Sequence, residues 1–421
     1  MSNLECRFEI VSGMTGKNCR LAVLRGFWRV PAVIKFACLI ALASPLQAEL
    51  LAVFQTNQGA VEVALQYDKA PQAVANFITM VEATRSRIHP VSGAVIRSPI
   101  YIGEKFFRVL NDPGFKIAQT GSGTGTNGGG PGFSFKDEFD PTLTHVPYVL
   151  SMANSGPNTN GSQIFFTGNV SIPGLNRVHT IFGLITDSAS RTVIDAILAA
   201  GNDGTTINAV SISRTDPLAQ AFNEHAQNLP VVTQAKGELR VTPNTSAVWT
   251  PNEVQATGSI FRAFRSATLV ANSWAELTAA KRQSGIVIDG FVSIIGPVVL
   301  DDASAAKAFY NLTWVTHPGS VTPTRLNNRT VEMKFGMQTL TYGFDSSGGS
   351  GVGIFKANPE SAETFPFFLT AFAATGHAFN FSCLNLSGPV AGSFQFKVGC
   401  DTATSNLITG RHSSGSATIT R

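Results

Sequence analysis

The sequence predicts a mainly β protein: a closed antiparallel barrel capped by two helices, followed by an all-β C-terminal region of one or two domains. Three observations point there. Charged residues make up 14% of the chain, well under the roughly 25% of an average soluble protein. Short apolar runs recur throughout, separated by turns that draw on 39 glycines and 21 prolines. Only two segments of the first half carry clear helical spacing, and both are short. With about 150 residues per domain as a prior, a 421-residue chain suggests two or three domains.

The first element is a leader. Residues 1–48 hold six basic side chains (Arg7, Lys17, Arg20, Arg25, Arg29, Lys35) against Glu5 and Glu9, then an apolar core from Phe36 to Ala43, then Pro45 and Ala48. A cationic start, a short apolar core, a helix breaker and a small residue at the cut have the form of a secretory signal peptide. The core is far shorter than the ~20 residues of a membrane-spanning helix. The leader carries the whole net charge of +4, and the remaining 25 basic and 25 acidic residues balance. A neutral mature chain gives no electrostatic case for nucleic acid or an anionic surface. Cys6, Cys19 and Cys38 leave with the leader, so Cys383 and Cys400 either form one disulfide or remain two buried thiols.

From residue 49 to about 215 the elements alternate. Leu51 to Thr56 and Ala60 to Leu65 read as strands around an Asn57-Gln58-Gly59 turn. Pro71 opens a helix in which Val74, Phe77, Ile78 and Val81 recur at helical spacing. Arg85 to Ile102 reads as an inserted loop. Gly121 to Gly132 is glycine-rich and includes a GxGxxG match at Gly123, Gly125 and Gly128. No helix follows it and no Lys-Ser/Thr accompanies it, so it is a poor phosphate loop. Thr192 to Ala200 reads as a second helix, stopped by Gly201, and Thr206 to Ile212 as a closing strand. Asp216 to Pro230 reads as a linker. Beyond it come strand-like runs at 285–288, 292–295, 330–335, 339–342, 379–381 and 393–398, with one short helix over Ala275 to Arg282, and the stretch reads as one domain or as two split near Pro323.

The chemistry concentrates in Ser151 to Phe166, SMANSGPNTNGSQIFF. A polar turn dense in Asn, Gly and Pro between two apolar strands positions backbone and amide groups for a ligand. This run resembles the signature of the cyclophilin family of peptidyl-prolyl cis-trans isomerases. Phe106-Phe107-Arg108-Val109 and Val178-His179-Thr180-Ile181-Phe182-Gly183 stand where that family has its other two signatures. The resemblance covers roughly Leu50 to Arg214. It implies the capped barrel, rotation about X–Pro bonds, and no cofactor or metal. It also implies proline-containing peptides and unfolded or partly folded proteins as partners. With the leader it implies action outside the cytoplasm, periplasmic or extracellular.

The same resemblance implies Arg108 and Gln163 as catalytic residues. It implies Phe115, Ile117, Ala153, Asn154, Phe165, Leu175 and His179 as substrate-binding ones. Read by itself, Arg108 is a charge in an apolar strand, which is costly unless the charge is used, paired or turned outward at an edge. Strand alternation puts Phe115, Ile117 and Gln119 on one face. One extra residue between Phe115 and Gln119, relative to the family, leaves Lys116 as a competitor of Ile117. Phe107 replaces the usual His, and Gly174 replaces an aromatic associated with cyclosporin binding. Asn160-Gly161-Ser162 is a glycosylation sequon inside the signature loop, where a glycan would destroy the site. The seven histidines show no metal-ligand spacing. Two other readings remain: a non-catalytic proline-peptide or chaperone module, and a surface protein whose main role lies in the C-terminal half.

Overall fold

Strict alternation builds the first sheet. In β1 (Leu50–Thr56) the side chains of Leu50, Ala52, Phe54 and Thr56 are buried, and in β2 (Gly59–Leu65) those of Val61, Val63 and Leu65. A period of two places each set on one face of its strand. The structure, a computed structural model, describes residues 50–242, 246–252, 259–270, 273–277, 287–288, 291–292, 298–301, 308–319, 321–323, 325–404 and 406–421. The expected leader 1–48 lies outside the described residues, as do residues 285–286 and 293–295 of the expected strands.

Helix α1 (Pro71–Val81) has Pro at its start but no cap from its own Ala70. The free N–H groups of Gln72 and Ala73 instead donate to the carboxylate of Glu138, at 3.1 and 2.9 Å. Burial pushes that carboxyl up to about 7, against the pull of those two bonds. The expected loop 85–102 holds a short strand pair, β3 (Arg87–Ile88) and β4 (Val95–Ile96). Then come β5 (Arg108–Asp112), β6 (Phe115–Thr120), β7 (Val149–Met152), β8 (Ile164–Thr167) and β9 (Ile181–Leu184). Helix α2 (Ser188–Ala200) and β10 (Ile207–Arg214) follow. α2 begins before the expected Thr192 because Asp187 caps it, its side chain accepting from Ser190 N–H at 2.8 Å.

The strands form one antiparallel sheet in the order β10-β1-β2-β9-β7-β8-β6-β5. Segments leading into the two edge strands bond each other and close it. Lys105 bridges Thr206, Phe106 N–H donates to Thr205 O, and Ile207 N–H donates to Glu104 O. Phe77 of α1 packs on Phe54 and Phe182, and Ile194 and Ile197 of α2 enter the same core.

The stretch expected as a linker, 216–230, is folded. Asp216 caps the short helix α3 (Pro217–Ala221), Phe222 packs on Tyr67 at 5.3 Å, and Leu229 is buried in the first core. Among the described residues nine strands follow: β11 (Val231–Gln234), β12 (Gly237–Thr242), β13 (Ser246–Pro251), β14 (Ser259–Ser266), β15 (Trp274–Glu276), β16 (Val287–Ile288), β17 (Phe291–Val292), β18 (Val298–Asp301) and β19 (Phe309–Thr316). Two of their sheets, β11-β19-β14-β15 and β12-β13-β18, meet over Trp249, Phe261 and Trp314. Phe264 and Val315 turn the other way, into the first core. The helix expected over 275–282 is not formed where the chain is described. Ala275 and Glu276 pair with Arg265 and Phe264, and Arg262 clasps the Glu276 carboxylate. Residues 278–282 lie outside the described residues.

Residues 330–420 close a second barrel of eight sequentially paired strands: β20 (Thr330–Phe335), β21 (Gln338–Phe344), β22 (Ser350–Lys356), β23 (Glu363–Thr375), β24 (Ala378–Asn385), β25 (Gly392–Ala403), β26 (Leu407–His412) and β27 (Gly415–Thr420). Aromatic rings fill it, with Tyr342 edge-on to Phe365, Phe367 and Phe381. Cys383 lies opposite Phe394, whereas Cys400 is farther along that same strand. At ~3.3 Å per residue this separates them by about 20 Å, far beyond disulfide reach. Both are free, and burial pushes each thiol up to about 12. No helix among the described residues is long and apolar enough to cross a membrane.

Leu229 tests whether 216–230 is integral. Leu229→Ala should lower unfolding free energy by about 2–4 kcal/mol in denaturant titration, as for other buried leucines. A true linker would change by less than ~0.5 kcal/mol.

Candidate functional site

Register assembles the site. In the β5–β6 hairpin, Arg108 lies opposite Gln119 and Leu110 opposite Ile117, and across β6–β8 Gln119 lies opposite Phe165. Directly opposed residues share a face, so guanidinium, amide and ring come together. Arg108 Nη1 donates to Gln119 Oε1 at 3.0 Å, and Gln119 Nε2 donates to Gln163 Oε1 at 2.8 Å. Gln163 Nε2 donates to the carbonyls of Asn127 and Gly129 at 2.9 and 2.8 Å. The chain of bonds therefore starts on the glycine-rich loop and ends on Arg108.

Below this chain is an apolar floor. Ile117, Phe165 and Ile172 are buried together, with Leu110, Phe115, Ala153 and Leu175 packed against them. Lys116 lies opposite Asn111 on the other face of β6, where its side chain borders Gly168. The extra residue in this strand is accommodated without a break in the β5–β6 pairing, and Ile117 rather than Lys116 reaches the floor.

His179 stands edge-on to Phe165 at 5.3 Å, and its Nδ1 donates to Met152 O at 3.0 Å. Burial, with Arg108 nearby, holds its pKa below the usual imidazole range. It is a neutral wall at pH 7. Leu175 belongs to a single 3-10 turn, Pro173–Leu175, and accepts the N–H of His179. A side chain at Gly174 would meet nothing within 4 Å, so the site is open where the resemblance places an aromatic. Ala153 N–H is committed to Gln163 O, and Asn154 Nδ2 to Val178 O.

All nine expected residues line one cavity of about 920 Å³ open to solvent, together with Gln119 and residues 127–134. The Gln163 amide is engaged on both sides, accepting from Gln119 and donating to the loop carbonyls of Asn127 and Gly129. The sequence reading did not single out His145. It stacks parallel to Phe165 at 6.0 Å, donates from Nδ1 to Asn176 Oδ1 and accepts from Ser151 Oγ at Nε2. Gln119 was legible by alternation, but a histidine reaching under the pocket from outside every strand was not. The sequon residue Asn160 is buried and bonds Lys136 O and Asp137 Oδ1, so it is closed to a glycan.

Comparison of sequences points to one family. The model of the cyclophilin type peptidyl-prolyl cis-trans isomerases matches residues 51–216. A probable peptidyl-prolyl cis-trans isomerase A of Mycobacterium leprae is 46% identical over 154 residues, 36% of this chain and 82% of that protein. Peptidyl-prolyl cis-trans isomerase A of Mycobacterium tuberculosis is 44% identical over 162 residues, 38% of this chain and 86% of that protein. A Cryptosporidium parvum cyclophilin type isomerase, crystallised in the presence of the dipeptide Ala-Pro, is 28% identical, covering 39% of this chain and 98% of that one at a TM-score of 0.32.

Burial lowers the His145 pKa to about 4. The unfolded chain takes up this proton near pH 6.5 and the folded one does not, so the stability contribution is complete above pH 6.5 and lost as pH falls toward 4. At most about 3 kcal/mol is involved. Denaturant titrations of His145→Gln should show a shallower loss over that window than the native protein. Parallel curves would place the proton uptake elsewhere.

Proposed function

The chain belongs to the cyclophilin-type peptidyl-prolyl cis-trans isomerases, and from that premise we propose that Arg108, aimed by Gln119 and Gln163, is its catalytic donor. The activity is rotation about X–Pro bonds. Amide resonance sets the barrier at ~18–20 kcal/mol. A ~10⁵-fold acceleration needs ~7 kcal/mol of preferential transition-state binding. In the twisted amide the prolyl nitrogen becomes pyramidal and regains a lone pair. A guanidinium fixed over the floor donates a hydrogen bond to it without reorganising, and so favours the twisted state over either planar one.

The remaining residues hold the peptide. Phe165, Ile117, Phe115 and Leu175 take the pyrrolidine ring, with His179 as wall. Ala153 contributes its carbonyl, and Asn154 shapes the loop that meets the substrate main chain. Gln163 is a positioning residue, because it acts on Arg108 through Gln119. The observation that carries this reading is the continuous Arg108–Gln119–Gln163 hydrogen-bond chain beside the Phe165 floor.

Residues 49–215 constitute the isomerase domain in this reading. The leader sends the enzyme out of the cytoplasm, where unfolded or partly folded exported proteins are its substrates. The supporting feature is the charge and hydropathy pattern of residues 1–48.

Arg108→Ala should lower kcat/KM on a prolyl tetrapeptide by at least ~30-fold, about 2 kcal/mol, with an unchanged unfolding midpoint. Near-native turnover by the folded variant would refute the role. For export, N-terminal sequencing of the natively produced protein should find Glu49 within a residue or two. An intact Met1 would rule the leader out.

A further inference from the structure

The cavity over Phe165 does not end at the isomerase domain. Ile260, Arg262 and Glu276 border it on one side, and Ala373, Asn380 and Lys397 on another. These residues come from β14, β15 and the second barrel.

The same two bodies hold the loops that make the groove. Arg262 Nη1 donates to Gly132 O at 2.8 Å, on the loop that anchors Gln163. Lys397 Nζ donates to Ser155 O at 2.6 Å, next to Asn154. Farther along that loop, Asn158 holds a left-handed conformation, φ 59°. Its Nδ2 donates to Cys400 O and Asp401 Oδ1, and its Oδ1 accepts from Arg411. Gly399 permits this approach, since a side chain there would meet the Pro157 backbone at 2.9 Å. The strand pair inserted at 85–102 braces the other body. Asn311 Nδ2 donates to Ser92 O and Thr313 Oγ1 to Gly93 O.

We propose that the C-terminal region is a second wall of the substrate site, and that it selects an extended, unfolded polypeptide segment reaching beyond the prolyl dipeptide. The inference rests on the isomerase reading. It is favoured by continuity: one cavity of about 920 Å³ runs from Arg108 to Ala373 and Lys397, at the upper end of the ~300–1,000 Å³ usual for ligand sites. Beyond the isomerase residues the cavity is lined by Ile260 with the charged Arg262 and Glu276 on one side, and by Ala373 with the polar Asn380 and Lys397 on another. Such mixed walls accept varied side chains, and residues 127–130 and 153–154 border the same groove. A folded domain with its proline on a short turn cannot enter between two walls, whereas an extended chain can.

The test uses the full mature chain and two substrates, a prolyl tetrapeptide and an unstructured peptide of about twelve residues with the same central X–Pro. The native enzyme should favour the longer peptide in kcat/KM by at least ~10-fold. Ala373→Trp fills the far wall and should lower that long-to-short ratio by at least ~10-fold. Asn380→Trp, across the strand pair from Ala373, should do the same if the first variant folds poorly. Equal kcat/KM for the two lengths, or a ratio unmoved by both folded variants, would overturn the proposal. Fluorescence anisotropy of the labelled peptides separates it from the isomerase reading. Tighter binding of the longer peptide, lost in the variants, supports the wall even without turnover. Indifference to length overturns the wall while leaving turnover of the tetrapeptide intact.

Discussion

Everything in the site depends on the register of three strands. β5, β6 and β8 are paired so that Arg108, Gln119 and Phe165 oppose one another in a row. A slip of one residue would turn each of them to the opposite face. The register is fixed from both sides. Ile117 and Phe165 must be buried, and the hairpin turns tightly between Asp112 and Phe115. Arg108 is exposed, so its position is not set by packing. It is set by one hydrogen bond to Gln119, whose own amide is held by Gln163, which is held by the glycine-rich loop. This is how a mobile cationic side chain becomes a fixed donor.

The loops on either side of the groove are themselves held from outside the isomerase domain. Asp137 carries a buried carboxylate whose pKa is raised, with burial the largest cause. It accepts from Asn158 N–H and from Arg411 of the second barrel. A buried charge is tolerated when it is paired and hydrogen-bonded, and here the pairing joins the signature loop to the barrel. The C-terminal region is thus coupled to the groove by the physical requirements of one carboxylate and one left-handed asparagine.

Local pattern explains what the sequence could reveal. Alternation in Leu50–Thr56 and Gly59–Leu65, the Pro start of α1 and the 3.6-residue spacing of α2 are nearest-neighbour effects, and they appear in the structure. Arg108 was legible through resemblance, because the Phe106-Phe107-Arg108-Val109 run matches a cyclophilin signature; by pattern alone it is an exposed arginine on an edge strand, which costs little. What stayed hidden is long-range. The cap of α1 comes from Glu138, His145 lies under Phe165 without any periodic signal, and Asp216–Pro230 looks like a linker because its polar residues are caps. The short helix expected at Ala275 gave way to pairing with β14, an override of local propensity by a partner strand and by the Arg262–Glu276 ion pair. The contact of Arg411 with Asp137 joins residues far apart in the chain, and no local rule reports it.

The central claim is that Gln119 acts by aiming Arg108, and a double-mutant cycle in kcat/KM tests it most directly. Arg108→Ala, Gln119→Leu and the double variant would be compared on one prolyl tetrapeptide, with folding checked for each. The account predicts that Gln119→Leu slows the native enzyme by roughly 5- to 30-fold yet changes the Arg108→Ala enzyme by less than ~2-fold, a coupling of at least ~1 kcal/mol. Additive losses, within ~0.5 kcal/mol, would show that the two side chains act independently and would contradict it.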